Sequence, residues 1–323
     1  LVGSAILVGV GIKLADNGDV ISQRTGLGGL FIGVMLVASA TSLPELLTTI
    51  NAVQQNVPDI AAGNLFGSNI FNMLLIAMID LMRWRERILQ RVAKHHILPG
   101  LFATLMAALA IFFVHADINI HFGWIGLDSL IIIAVYFVCM RVIQTISVNE
   151  NKTLENEPVP DDTPSLMKGI IGFALATAVL VVVMPFLVSS SAEIAVITGL
   201  GNGFIGTALV AMITSLPELA TTFAAVRIGA YDMAVGNLFG SNMFNMFALG
   251  LSDVVITKSR IFNLISPDFA LVGMIAIIMT LIGTIGNQAR LPKKIWFIEL
   301  DSLLLIITYF VGMYVIYLSR IGM

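Results

Sequence analysis

Apolar runs of helical length recur along the whole chain, broken only by short polar segments. They lie near residues 1–14, 26–54, 58–82, 97–115, 121–147, 166–188, 202–227, 232–255, 266–287 and 295–318. About 20 apolar residues suffice to cross a bilayer as a helix. In hydrocarbon every backbone amide must be satisfied inside the protein, which leaves helices or a closed barrel. The alternation that a barrel strand needs is absent. The expected fold is therefore all-α, a polytopic membrane protein of about ten transmembrane helices. Composition agrees: 58% of the 323 residues are hydrophobic and 11% charged, against about 25% charged in a soluble domain. A soluble enzyme, a disordered chain and a nucleic-acid binder are excluded. The net charge of -3, with no basic run long enough to grip phosphates, points the same way. The single cysteine, Cys139, rules out a disulfide framework and a thiolate metal cluster.

A second constraint is duplication. Thr41-Ser42-Leu43-Pro44-Glu45 returns as Thr214-Ser215-Leu216-Pro217-Glu218, and Gly63-Asn64-Leu65-Phe66-Gly67-Ser68-Asn69 returns as Gly236-Asn237-Leu238-Phe239-Gly240-Ser241-Asn242. The offset is 173 throughout, and 25–80 against 198–253 gives 33 identities in 56 positions without a gap. The chain thus reads as an N-terminal five-helix repeat (1–147), an acidic linker (148–164) and a C-terminal five-helix repeat (165–323). Pro158, Pro160 and Pro164, with the surrounding acids, give the linker its solvated character. Five is odd, so the two repeats must be inverted in the bilayer, an architecture of transporters with the substrate site where the copies meet. Lys and Arg favour cytoplasmic loops. Placing the 83–96 segment inside puts 14 of the 17 basic residues there and leaves Lys258, Arg260 and Arg320 outside. Both termini are then external, with the cell membrane as the expected location.

Glu45 and Glu218 are the two acids that fall well inside apolar runs. Each costs at least about 2.5–3.5 kcal/mol at that depth, so a symmetric pair is hard to explain as structure alone. Thr41 and Glu45 share a helical face, which Thr48 and Thr49 continue. Pro44 has no N–H for the carbonyl of Ala40, and Pro217 has none for Ile213. Each helix is expected to bend or unwind at its Glu and free backbone oxygens. The next helix offers Asn64, Ser68 and Asn72 at spacings of four, and their copies Asn237, Ser241 and Asn245. These amides and hydroxyls could be interhelical glue. Together with two carboxylates they also suit Ca²⁺, which takes six to eight oxygens in flexible geometry. Imidazole and thiolate for a softer metal are missing. Gly63, Gly67, Gly236 and Gly240 allow close helix approach.

The remaining candidates read as structural. Asp80 and Asp253 fall at helix ends on opposite membrane faces, and Asp128 and Asp301 a couple of turns inside helices. His95, His96, His115 and His121 read as interfacial, and Cys139 and the methionines as packing.

At the two motifs the sequence resembles the cation/calcium antiporter superfamily, the sodium/calcium exchanger-like proteins and their proton/calcium relatives. Thr-Ser-Leu-Pro-Glu and Gly-Asn-x-x-Gly-Ser-Asn-x-Phe-Asn, each present twice, resemble that family's α-repeats. The resemblance implies a ten-helix fold of inverted repeats that alternates access to a central site, with no enzyme activity and no resident cofactor. It implies Ca²⁺ ligands at Glu45 and Glu218 with the backbone at Thr41 and Thr214. Flanking cation sites would use Ser42, Ser68, Ser215 and Ser241, with Asn72 and Asn245 alongside. Some sodium-coupled members carry Asp where this chain has Asn72 or Asn245. With two carboxylates and no third, one Ca²⁺ or two protons neutralise the site, and protons are taken as the counter-ion. Sodium is the alternative, because Thr-Ser-Leu-Pro-Glu is closer to the sodium-coupled branch. A cation channel is a more remote alternative, separable by flux that saturates and demands a counter-ion.

The charge asymmetry predicts sidedness. A cysteine introduced by Arg87→Cys, in a Cys139→Ala background, is expected to resist an impermeant external reagent in intact cells and to react after permeabilisation. Labelling in intact cells would reverse the topology.

Overall fold

The computed structural model describes all residues except 1, 83–95, 117, 119, 155–162, 199–208, 256–259, 290–293, 296–297 and 320–323. The expected cytoplasmic segment 83–96 (apart from His96), most of the linker, and the Thr198-Gly199-Leu200-Gly201 and Phe204-Ile205-Gly206 parts of the second motif (apart from Thr198) lie outside the described residues.

Helices make up almost all of the rest. In chain order they are α1 (Val2–Thr25), α2 (Gly29–Thr41), α3 (Leu43–Gln54), α4 (Pro58–Met82), α5 (Ile97–Ala116), α6 (Leu127–Leu154) and α7 (Leu166–Thr198). The second half contributes α8 (Ala211–Thr214), α9 (Leu216–Arg227), α10 (Tyr231–Ser252), α11 (Ile261–Leu264), α12 (Phe269–Ala289) and α13 (Leu300–Leu318). Two short hairpins interrupt them, β1 (His121–Phe122) with β2 (Ile125–Gly126), and β3 (Lys294–Ile295) with β4 (Ile298–Glu299). The hairpins too are 173 residues apart, so the repeat extends to local structure that the apolar runs do not reveal.

Among the described residues six helices are long and apolar enough to span a membrane, or seven when the bent pair α2–α3 is taken as one span. Of the other three expected spans, 202–227 lies partly outside the described residues and two are polar. α1 carries Lys13, Asp16 and Asp19, and α10 carries Asn237, Ser241, Asn242 and Asn245. α1 also runs eleven residues past its expected end at 14. Asn17 Nδ2 donates to the Lys13 carbonyl (2.6 Å) and Gln23 Nε2 to Asp19 Oδ2 (2.7 Å), so its polar turns support one another along the helix. Similarly α6 continues helical to Leu154, into the expected linker.

α4 and α10, which carry the repeated asparagine motif, lie side by side at the centre and are buried almost throughout. α2 crosses α10 with its backbone in contact. A Cβ on Gly240 would lie 2.5 Å from the Val34 carbonyl oxygen and 2.6 Å from its Cα. Gly33 faces the Met233 carbonyl just as closely. Residues Ile32–Val37 of α2 wind as a π-helix at this crossing, an irregularity that clusters at functional sites.

Several residues sit differently from expectation. Asp128 and Asp301 lie in the first turns of α6 and α13, not deeper, because the hairpins take up the preceding residues. Each accepts the N–H of the next serine (2.8 and 3.0 Å). Asp80 and Asp253 are at helix ends as expected but are buried. Asp253 accepts the N–H of Gly126 and of Ile261 (both 2.8 Å), tying a hairpin to the loop after α10. His96 is fully buried, with Nε2 3.0 Å from Oδ1 of the half-exposed Asp232.

The backbone contact at Gly240 predicts that Gly240→Ala destabilises the fold by about 1–3 kcal/mol, the usual cost of overpacking. Thermal unfolding in detergent measures it. Gly9→Ala, where a Cβ meets nothing within 4 Å, serves as the control and is expected to leave stability unchanged or slightly higher.

Candidate cation site

The site begins with a broken helix in each repeat. α2 and α3 meet at 42°. The break falls at Ser42 (φ −92°, ψ 6°), three residues before Glu45, rather than at the Glu itself. Ser215 has nearly the same backbone (φ −86°, ψ 7°) between α8 and α9. In both places the proline enters the first turn of the new helix, where its missing N–H and fixed φ fit. The helix therefore restarts just before each Glu and places it in the first turn. The positive end of the helix dipole favours a carboxylate there.

Both carboxylates are sealed from solvent, Glu45 at 0% and Glu218 at 1% exposure. Each is held by one serine from its own repeat and one from the other. Ser42 Oγ donates to Glu218 Oε1 at 2.8 Å, joined by Ser241 Oγ at 3.3 Å. Ser215 Oγ donates to Glu45 Oε1 at 3.3 Å, joined by Ser68 Oγ at 3.4 Å. The serines all address Oε1, and Oε2 of both glutamates is buried without a hydrogen-bond partner. No ion pair among the described residues reaches either Glu. Two carboxylates buried in this way must be neutralised by a cation or by protons to be stable.

Thr41 and Thr214 use their hydroxyls across the interface. Thr41 Oγ1 donates to Asn237 Oδ1 (3.2 Å) and Thr214 Oγ1 to Asn64 Oδ1 (3.0 Å), while both also lie within bonding distance of carbonyls in their own helix. The side-chain oxygens of Asn64 and Asn237 are thus engaged as cross-links and do not face an ion freely. Their Nδ2 groups break the symmetry. Asn64 donates to the Glu45 carbonyl (3.4 Å), and Asn237 to Thr222 Oγ1 (2.9 Å). Asn72 and Asn245 are different, each with a buried Oδ1 that has no partner. All twelve polar candidates are fully or almost fully buried, and Pro44 and Pro217 sit at the two breaks.

Asn69 and Asn242 were legible in the motif but not singled out by the sequence as working residues. The structure puts them between the repeats. Asn69 Nδ2 donates to the Asn242 carbonyl and Asn242 Nδ2 to the Asn69 carbonyl, both at 3.4 Å. The equal spacing of Asn69 and Asn242 from the named residues is the only sequence signal for this exchange.

Beside α3, a cavity of about 280 Å³ opens toward α7, lined by Pro44, Thr48, Asn51, Met184, Pro185 and Ser189 among others. It offers polar side chains within one or two turns of Glu45.

Comparison with known proteins identifies the family and the fold. The profile of the family described as "Sodium/calcium exchanger protein" matches residues 1–144 and 168–318. The putative antiporter CaxA of Alkalimonas amylolytica is 27% identical over 259 residues, covering 79% of each chain. The sodium/calcium exchanger MaX1 of Methanosarcina acetivorans is 29% identical over 297 residues, covering 78% of this chain and 81% of its own. Among solved structures, the sodium-calcium exchanger NCX_Mj superposes with a TM-score of 0.69 over 97% of this chain and 96% of its own, at 22% identity. By a family match that covers nearly all of its length, the chain belongs to the sodium/calcium exchanger protein family and is an integral membrane cation exchanger, not an enzyme.

Proposed function

We propose that this exchanger carries Ca²⁺ out of the cell in return for protons, using Glu45 and Glu218 as the shared binding pair. The crossed carboxylate pair carries the reading. Each Glu is held through Oε1 by serines of both repeats, while Oε2 is left without a partner. Those two oxygens, the unpartnered Oδ1 of Asn72 and Asn245, and backbone at Thr41 and Thr214 form an oxygen set of the kind Ca²⁺ takes. Ser42, Ser215, Ser68 and Ser241 then serve as flanking ligands. The two five-helix halves (1–147 and 165–323) move against one another around this site, with the linker and the 83–96 segment cytoplasmic and both termini outside.

Charge counting favours protons. Asn72 and Asn245 are neutral, so the pair carries two negative charges, balanced by one Ca²⁺ or by two protons. Sodium is the second reading, supported by the name of the relative MaX1 as a sodium/calcium exchanger. With three Na⁺ per Ca²⁺ it would move net charge in each cycle.

Two predictions follow from the site. Glu45→Gln and Glu218→Gln are each expected to abolish Ca²⁺ exchange in proteoliposomes while the purified variants remain folded. Near-normal flux in either removes that Glu from the site. On the counter-ion, a pH gradient alone is expected to drive Ca²⁺ uptake in Na⁺-free liposomes, with little response to membrane potential. Raising pH is expected to tighten Ca²⁺ binding, because the carboxylates must lose their protons before the cation can bind. Strict Na⁺ dependence with voltage-sensitive flux would replace protons by sodium and leave the Ca²⁺ site in place.

A further inference from the structure

Each repeat holds one buried amide that the ion site as described does not use. Asn69 (2% exposed) and Asn242 (0%) stand three residues before Asn72 and Asn245 on α4 and α10. Their Nδ2 groups donate to each other's main-chain carbonyl, and that of Asn242 also reaches Thr280 Oγ1 at 3.5 Å. That turns their side-chain oxygens toward the opposite repeat. Asn242 Oδ1 accepts from Asn72 Nδ2 at 3.0 Å, and Asn69 Oδ1 accepts from Asn245 Nδ2 at 2.9 Å.

The consequence lies in the polarity of Asn72 and Asn245. A primary amide has a donor end and an acceptor end. Here the donor end of each is held across the repeat interface, so the end left over is Oδ1, buried and without a partner in both. Asn72 is one turn beyond Ser68, whose hydroxyl reaches Glu45, and Asn245 is one turn beyond Ser241, whose hydroxyl reaches Glu218. A cation is drawn to the oxygen end of an amide and repelled by its NH₂ end. In a low-dielectric interior that difference is poorly screened.

We infer that Asn69 and Asn242 are positioning residues, each locking the amide of the opposite repeat, Asn245 and Asn72 respectively, so that it offers oxygen to the cation. The inference rests on Glu45 and Glu218 being the Ca²⁺ site.

Ca²⁺ titration calorimetry on the purified protein, in Na⁺-free buffer at fixed pH, tests it without reference to the counter-ion. Asn242→Leu is expected to weaken Ca²⁺ binding about fivefold, the loss of about one net hydrogen bond, and Asn72→Ala by a similar factor. The double variant Asn242→Leu/Asn72→Ala is expected to bind no more weakly than Asn72→Ala alone, since no amide remains to orient. Asn242→Leu/Asn245→Ala is expected to show nearly multiplied losses, although those two residues share a helix. A general loosening of α10 gives the reverse pattern, coupling to Asn245 and none to Asn72. That pattern, or multiplied losses at both pairs, overturns the inference. Should Asn242→Leu fail to give a monodisperse protein, Asn242→Ser carries the same test, because its short hydroxyl cannot span to the Asn72 amide. Glu45→Gln is titrated alongside. Wild-type Ca²⁺ affinity in that variant removes the site reading and the inference with it. Lost binding there, with multiplied losses at the crossed pair, removes the positioning role alone.

Discussion

Two carboxylates shut inside an apolar helical bundle are the constraint that the rest of the arrangement answers. An isolated buried carboxylate is expensive, and a pair adds mutual repulsion. Nothing cationic among the described residues compensates them. What the protein supplies instead is partial solvation, through the hydroxyls of Ser42 and Ser215 at the two helix breaks, those of Ser68 and Ser241 on α4 and α10, and the two helix N-termini that the breaks create. These dipoles stabilise charge without cancelling it, so a cation or protons can still supply the missing positive charge. A lysine in the same place would stabilise the pair better and leave nothing to exchange.

The second feature is reciprocity. Ser42 serves Glu218 and Ser215 serves Glu45; Thr41 bonds Asn237 and Thr214 bonds Asn64; Asn69 and Asn242 exchange bonds with each other. Each bond has its partner 173 residues on at both ends, as a two-fold relation between copies requires. Neither repeat therefore holds its own carboxylate by itself. Glycine makes the crossing possible: the backbone contact of α2 with α10 at Gly33 and Gly240 brings the two motifs within hydrogen-bond reach.

Much of this was legible because the bilayer leaves few ways to read a polar residue. Glu45 and Glu218 stood out against apolar runs, and a fixed offset marked their neighbours as repeated. The failures have physical causes as well. The first apolar run ends at residue 14, before the polar Asp16, Asn17 and Asp19, yet i to i+4 side-chain bonds carry the helix through them. The basic neighbours of His96 make it read as interfacial, and only the fold reveals Asp232, 136 residues away, as its partner. Asn69 and Asn242 were hidden for a similar reason. One amide in a motif full of amides gives no sign of which backbone it will meet.

The repeats also differ where equivalent positions line the flanks of the site. Gly11 on α1 packs so closely on α9 that a Cβ there would lie 2.6 Å from the Ala220 Cβ and 2.8 Å from the backbone of Thr221. The residues 173 positions away are Met184 and Leu47, large in place of small, and both line the cavity between α3 and α7. Asn51 in that cavity corresponds to Ala224, which lines a cavity of about 470 Å³ between α1, α4 and α9. This second space is walled by Leu7, Ile12, Met78 and Phe223, with Arg227 the one charged residue among its described lining. A hydrated cation is stabilised by hydroxyl and amide oxygens and not by methyl groups, and among the described lining residues Thr48, Asn51 and Ser189 bring such groups to the α3 flank. Two identical halves would offer the same surroundings on both sides of the carboxylate pair. Differences at equivalent positions, Leu47 against Ala220 and Asn51 against Ala224, make the two flanks unlike in shape and in the side chains they present.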